Sequence, residues 1–249
     1  MIDIHCHVLP EMDDGSQSLE ESLDMCAAAE RNGISDIIAT PHLKNGEHLE
    51  HFIERRDAAL HRLNSALESA GIDVTVHAGA EVFARSWLEQ ARELSPFTLC
   101  SSRYMLIEFG FFGSESERIE KYVRLLQSRG ITPIIAHPER YDYFLCDPEL
   151  LEYTGSLGTL FQCNATSLAG VNGEQVRRLA TDMVTAGFAD FIATDAHSCV
   201  HRTTNLMNMI RDFSSEIDDT DVELLCGKHP RYILEDMPFP SRKRGYLAE

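Results

Sequence analysis

Apolar and polar positions along this chain follow two alternating spacings. Short runs that are almost wholly apolar, rich in β-branched or aromatic residues, fall at 1–5 (MIDIH), 35–40 (SDIIAT), 73–79 (DVTVHAG), 104–109 (YMLIEF), 132–137 (TPIIAH), 159–164 (TLFQCN) and 189–194 (ADFIAT). Such runs are expected of strands buried on both faces. Between them, apolar residues recur every three or four positions, which predicts helices at roughly 18–32, 47–70, 115–129, 172–187 and 201–213. Ser18 with Glu21 has the spacing of a capping box, and Gly33, Gly71, Gly130 and Gly187 stand where helices should stop. Strand and helix alternate with no linker, repeat or low-complexity segment. The pattern predicts an α/β fold, an irregular TIM-like barrel of about seven parallel strands, with residues 1–249 as a single domain.

The reactive side chains fall on this frame in one way. His5 and His7 end the first run, His42 lies just beyond the second, and Glu81 follows the third. Glu108 closes the fourth, His137 the fifth, and Asp195 and His197 follow the seventh. Each is at the C-terminal end of a predicted strand, where a barrel of this kind gathers its active site. Asp14, in the loop after the first run, can reach the same mouth. Residues two apart on a strand point to one side, so His5 and His7 aim two imidazoles at one point. Any one of these residues alone could be structural, since the chain also has histidines without an assigned role in His77 and His229, and His48 and His51 suit a solvated helix face. Repetition across six strand ends predicts a metal centre instead. Nine ligands exceed the needs of one ion and suit two or three ions sharing a bridging carboxylate. Imidazole and carboxylate without thiolate suit Mn, Fe or Zn. Cys6, between two ligand histidines, is expected to point away from them and pack.

Composition narrows the partners. The 249 residues carry 40 acidic and 22 basic side chains, a formal net charge of −18, which disfavours a general nucleic-acid surface. No segment approaches the 18 consecutive apolar residues of a membrane span, and ligand-like residues begin at position 5, which argues against a cleaved leader. Seven scattered cysteines without a CxxC pair suggest reduced thiols and a cytoplasmic location. The residue six positions after each cysteine is never arginine, so the spacing of a cysteine-based phosphatase loop is missing.

The stretches DIHCHVLPEMDDG, ATPH, AHPERY and TDAH together resemble the polymerase-and-histidinol-phosphatase (PHP) family of metal-dependent phosphoesterases. Within it the likeness is to bacterial manganese-dependent protein tyrosine phosphatases of capsule and exopolysaccharide systems, and it runs from residue 1 to about 202. The resemblance implies a PHP-type barrel with a trinuclear site. His5, His7, Glu81 and Asp195 would hold one ion, Glu81 would bridge to a second completed by Glu108 and His137, and Asp14, His42 and His197 would hold a third. It implies Mn2+ as cofactor, Arg140 as a phosphate ligand and Arg202 as its assistant. It also implies a phosphotyrosine protein as partner, an autophosphorylating bacterial tyrosine kinase. The segment FGFFGS after Glu108 departs from the pattern, so that pocket wall is expected to differ.

The chemistry agrees with the resemblance. Paired metal ions acidify a shared water and neutralise phosphoryl oxygens during in-line displacement. Arginine is planar and permanently charged, which suits bidentate phosphate contact. A phenolate, with a reference pKa of about 10, leaves with less acid assistance than a serine alkoxide. Phe109, Phe111, Phe112 and Tyr141 are candidates to line a recess for a tyrosyl ring, and Arg242, Lys243 and Arg244 for a basic contact. The rivals are a small-molecule phosphatase acting on a substrate such as histidinol phosphate, an amidohydrolase, a metal-dependent nuclease and a metal-bound phosphoprotein-binding module without turnover. The amidohydrolase lacks its mid-barrel lysine here, and charge disfavours the nuclease. An oligomer is compatible with any of these.

Overall fold

A computed structural model of the chain describes residues 1–46, 48–113, 116–199, 203–206, 217–241 and 244–247. Among them nine short strands form: β1 Ile2–Cys6, β2 Asp36–Ala39, β3 His42–Leu43, β4 Thr75–Ala78, β5 Glu81–Phe83, β6 Tyr104–Glu108, β7 Thr132–Ala136, β8 Leu160–Asn164 and β9 Phe191–Ala193. All pair in parallel, in the orders β1-β2-β4 and β3-β5-β6-β7-β8-β9. The last strand returns to the first. Asp195 N–H donates to the His5 carbonyl and His7 N–H to the Ala196 carbonyl, each at 2.8 Å, and Cys6 bridges Ala196. The ring so closed is the parallel barrel expected from the sequence.

Each of the seven apolar runs contains a strand, and two continue beyond a break. The offset between the broken pair is unchanged across the gap: Asp36 faces Thr75, and His42 faces Glu81. Pro41 lies in the gap and has no N–H for the ladder, while Thr40 N–H turns to the Cys6 carbonyl at 2.9 Å. Opposite, a Cβ on Gly79 would stand 2.9 Å from Ile38 Cγ2 and 3.0 Å from the Ala39 oxygen, so only glycine lets the strands pass. Below the gap β4 pairs with β2 alone, and above it β5 reaches across to β6. A turn at Leu99–Ser101 packs against both β4 and β6 where they part.

Side-chain alternation builds two cores. Ile2, Ile4, Ile38, Leu106, Ile134 and Phe191 belong to the cluster that fills the lower barrel. Ile37, Met105, Ile107, Ile135, Phe161 and Ile192, one residue out of step, pack outward into the larger cluster under the helices. Those helices are α1 Leu19–Arg31, α2 Leu49–Ala70, α3 Trp87–Gln90, α4 Ser116–Ser128, α5 Asp142–Cys146, α6 Pro148–Ser156, α7 Ala165–Leu168 and α8 Glu174–Thr185. Ser18 caps α1 by accepting from Glu21 N–H at 3.1 Å, but the Glu21 carboxylate reaches Gln17 N–H rather than that of Ser18. The four glycines after α1, α2, α4 and α8 all take positive φ, as their positions predict. The helix expected at 201–213 falls largely outside the described residues. No helix among the described residues is long and apolar enough to cross a membrane.

The segment after residue 217 covers the lower end of the barrel. Helices Asp219–Glu223 and His229–Leu234 flank a π turn, Leu224–Lys228. Ile233 joins the inner cluster, Tyr104 Oη donates to the Met237 carbonyl at 2.5 Å, and Arg103 pairs with Asp236 at 3.0 Å. Arg244, considered above as a basic contact surface, is an internal tie instead. Its guanidinium donates to the Thr159 carbonyl at 2.7 Å and Asp190 Oδ2 at 3.1 Å, between the rings of Phe161 and Phe188. Arg242 and Lys243 lie outside the described residues. Leu99 is fully buried where the strands diverge. Leu99→Ala is expected to cost about 3 kcal/mol, against about 0.5 kcal/mol or less for Val171→Ala on the surface, as read by urea unfolding.

Candidate metal centre

The barrel's own alternation carries polar groups to its upper mouth. On β6, Tyr104 and Leu106 face inward and Glu108 is next in step; beyond β9, Asp195 follows Phe191 and Ala193 in the same way. Glu81 pairs in register with Leu106, and His42 with Glu81, so both continue the inward face. His5 and His137 are out of step and need a local device. β1 has a register shift between Asp3 and Cys6. His137 leaves β7 with φ 34°, and Asp195 has φ 51°. Non-glycine residues adopt such backbones at a cost of about 1–3 kcal/mol each, and the habit concentrates at functional sites.

All nine predicted ligands converge. Glu81 lies at the centre: its Oε1 is 3.0 Å from His137 Nε2 and 3.4 Å from His5 Nε2, and its Oε2 is 2.7 Å from His42 Nδ1 and 3.5 Å from His7 Nε2. Asp195 Oδ1 stands 3.4 Å from both His5 Nε2 and His7 Nε2. Glu108 reaches to 3.8 Å of His137. Asp14, on the solvent side, approaches His42 at 3.3 Å and His197 at 3.9 Å. Three groups bring ligand atoms within 4.8 Å of one another: His7, Asp14, His42 and His197; His5, His7 and Glu81; and His42, Glu81 and Glu108. Buried Glu81 Oε2 and His42 Nδ1 are close yet lack hydrogen-bond geometry, and each has no other hydrogen-bond partner among the described residues. Orphaned buried polar atoms need a partner. Five imidazoles and four carboxylates aimed at common points fit hard or borderline divalent metals.

A second layer holds these ligands, and sequence reasoning missed it. His5 Nδ1 hydrogen-bonds Gln162 Oε1 at 2.8 Å, Gln162 donates to Asn164 Oδ1 at 2.8 Å, and Asn164 donates to Asp195 Oδ2 at 2.8 Å. The relay turns the His5 Nε2 lone pair to the centre. Asp13 Oδ2 takes His7 Nδ1 at 2.7 Å and His42 N–H at 2.8 Å. A signal was present: Gln162 and Asn164 are polar at alternate positions of the strand left without a ligand, and Asp13 adjoins Asp14. Cys6 Sγ faces the Ala196 carbonyl at 3.8 Å, away from the ligands.

Arg140 follows His137 through the short turn Pro138–Arg140, and its Nη1 lies 3.3 Å from Asp195 Oδ2. Its guanidinium stacks 5.1 Å above Phe111, which itself stacks on His137. A cavity of about 340 Å³ opens above Glu81, lined among others by Arg140, Phe111, Lys44, Phe83 and Arg85. Phe109 and Tyr141 are core residues, with Phe109 N–H donating to Tyr141 Oη, and Phe112 is 77% exposed. Of the four aromatics considered for a recess, only Phe111 lines it; Phe83 was overlooked. Arg202 lies outside the described residues.

Electrostatics of the bare ligands follows from crowding. Burial disfavours a charged His7, but hydrogen bonds to Asp13 and Asp195 and the nearby acids outweigh it and hold the proton up to about 10. His5 is likewise raised, the charges of Glu81 and Asp195 overcoming burial. Burial and then the charge of Glu81 push Glu108 up to about 7. Burial would also raise Glu81, yet His5, His137 and His42 keep it well below the usual range. Without metal the folded state thus holds extra protons on Glu108 above its ordinary 4.5 and on His7 above its ordinary 6.5. Those contributions to stability shrink as pH rises through about 7 and about 10. Glu81 contributes the other way, losing stability as pH falls below its ordinary 4.5. Chelated protein should therefore melt highest in mildly acid buffer and progressively lower towards pH 9, and Mn2+ should remove most of the alkaline decline. A melting temperature of chelated protein that rises from pH 6 to pH 9 would contradict this account.

A family model described as "Capsular polysaccharide synthesis, CpsB/CapC" matches residues 1–235, further than the motifs alone reach. Tyrosine-protein phosphatase YwqE of Bacillus subtilis is 36% identical over 258 aligned residues, covering 98% of both chains. A solved chain from work on YwqE of Bacillus subtilis and CpsB of Streptococcus pneumoniae, metal-dependent tyrosine phosphatases, superposes with a TM-score of 0.87 at 30% identity over 100% of both chains. Dihydropyrimidinase of Brevibacillus agri, at 11% identity and a TM-score of 0.54 over 99% of this chain and 72% of its own, shares the fold alone.

Proposed function

Because the chain belongs to the CpsB/CapC family of capsular polysaccharide synthesis, we propose that it is a metal-dependent protein tyrosine phosphatase. The single observation that carries the reading is the centre itself: five imidazoles and four carboxylates around orphaned Glu81 Oε2, with the Arg140 guanidinium beside it. His5, His7, Glu81 and Asp195 would form one ion's ligands, Glu81, Glu108 and His137 a second's, and Asp14, His42 and His197 a third's. Bound divalent ions, Mn2+ by preference with Fe or Zn as competitors for the same donors, would supply Lewis acidity to water and to the phosphoryl oxygens.

The chain's own residues then have separable tasks. Glu81, placed between four imidazoles from three strand ends, would fix the spacing of the centre. Gln162, Asn164 and Asp13 hold the imidazole rings and Asp195 in place, so that little reorganisation is needed when substrate arrives. Arg140, pinned by Asp195 on one edge and Phe111 on its face, offers a fixed cation to a phosphoryl oxygen. Phe83 and Phe111 both line the cavity, where an aryl ring can enter. The departing phenolate needs little protonation at neutral pH, its reference pKa being about 10. Arg202 would join Arg140 on the phosphate. The partner would be an autophosphorylating tyrosine kinase of capsule or exopolysaccharide synthesis, met in the cytoplasm, where the seven free cysteines stay reduced.

The test uses matched phosphotyrosine and phosphoserine peptides and histidinol phosphate, each after chelation and after Mn2+ is restored. Mn-dependent turnover selective for phosphotyrosine is expected; preference for histidinol phosphate would assign the small-molecule reading. Arg140→Ala should retain metal, by elemental analysis, and lose about 10²-fold or more in kcat/KM, on the scale of one transition-state donor. Normal kcat/KM in that variant would remove Arg140 from phosphate binding. Asn164→Ala, which removes one donor to Asp195 and interrupts the relay to His5, should weaken metal affinity about 10- to 100-fold, measured by competition with a chelator.

A further inference from the structure

Beside the ligands, the cavity is lined by chemistry that phosphate hydrolysis does not require. β3 and β5 run side by side in register, His42 against Glu81 and Leu43 against Val82. The two-residue period carries the inward face of β3 from His42 to Lys44, and that of β5 from Glu81 through Phe83 to Arg85. Both cations border the cavity, and neither has an ion-pair partner among the described residues. Arg85 is held against the wall, its guanidinium 4.8 Å from the Phe83 ring centre. Arg140 on Phe111, at 5.1 Å, repeats the device.

Their placement contrasts with the molecule as a whole. The chain has a formal net charge of −18, so its distant field repels acidic ligands. At the cavity mouth the balance is local: Glu81, Glu108 and Asp195 are buried ligands, and Asp14 is the exposed carboxylate among the lining residues. Arg140 is engaged with Asp195 and is committed to the phosphate in the reading above. Lys44 and Arg85 therefore remain as cations facing whatever surrounds the phosphorylated side chain.

We propose that Lys44 and Arg85 form a recognition subsite for acidic residues immediately flanking the phosphotyrosine, so that the substrate class is an acidic phosphotyrosine segment. The inference rests on the phosphatase reading for its orientation, with phosphate at the ligands and ring between Phe83 and Phe111. A peptide so seated crosses the mouth, and each further residue advances about 3.3 Å along the rim. Carboxylates on the first residues either side meet the two cations; carboxylates farther along meet the repelling surface.

The experiment compares two phosphotyrosine peptides of identical composition and net charge, one with its glutamates adjacent to the phosphotyrosine and one with them at the far end. Equal charge cancels the distant field. Metal-loaded wild type should favour the adjacent arrangement about fivefold in kcat/KM, the worth of one or two exposed charge pairs, with the difference residing in KM. The double substitution Lys44→Gln, Arg85→Gln should bring the ratio to about one, and Arg85→Lys alone should keep part of it. Difluoromethylphosphonate versions, which are not hydrolysed, should show the same ratio in Kd by fluorescence anisotropy. A ratio near one in wild type, or an unchanged ratio in the double variant, overturns the subsite. Binding with the expected ratio but no turnover of either peptide upholds the subsite and overturns the phosphatase reading instead.

Discussion

The mutual dependence of charges gathered around Glu81 governs this structure. A buried carboxylate is costly unless paired, and a buried imidazolium equally so. Here one carboxylate lies within 3.5 Å of four imidazoles contributed by β1, the residue after it, β3 and the end of β7. The imidazoles are turned inward by their outer contacts, His5 Nδ1 on Gln162 and His7 Nδ1 on Asp13, while Glu81 Oε2 and His42 Nδ1 stay without a hydrogen bond among the described residues. A divalent cation satisfies them together. The positive φ at His137 and Asp195, the register shift in β1 and the relay through Gln162 and Asn164 are all ways of bringing those groups to one place.

The barrel supplies the rigidity this requires. Its lower half is apolar and sealed by the C-terminal segment, whereas its upper half is polar and open. Breaks at Pro41 and Gly79 divide two strands without changing their offset, so that His42 and Glu81 remain neighbours while β5 crosses to β6. A continuous pair could not serve both partners, because β4 belongs to β2 and the turn at Leu99–Ser101 occupies the space towards β6. Seven strands thus close a ring that is commonly made with eight.

The ring and its ligands were largely legible in the sequence for a common reason. A strand buried on both faces is an apolar run, so a His, Asp or Glu at its end is conspicuous. His42, Glu81, Glu108 and Asp195 could be placed from period and position alone. His5 and His137 could be placed at the mouth by their strand-end positions too, but their out-of-step orientation depends on a register shift and a left-handed turn that no local pattern announces. Gln162 and Asn164 escaped because amides at a strand end carry no obvious chemistry until the histidine they orient is known. Phe83 escaped because it belongs to β5, a three-residue strand too short to leave a period. The aromatic recess was misread at Phe109 and Tyr141, where a sequence cannot distinguish a wall from the core behind it. The lower cap was missed because its helices are short and joined through a π turn.

Closure between β1 and β9 has a bearing on how the molecule comes into being. His5 and His7 precede by far in the chain the Asp195 and Ala196 whose backbone fixes them. Until β9 is made, β1 has β2 on one side and nothing on the other. Contacts so distant along the chain make folding slow, because a long loop must close before it is rewarded. The donors of β1 and those that follow β9 therefore come together only when the ninth strand closes the ring, so the centre is among the last features of the fold to be completed.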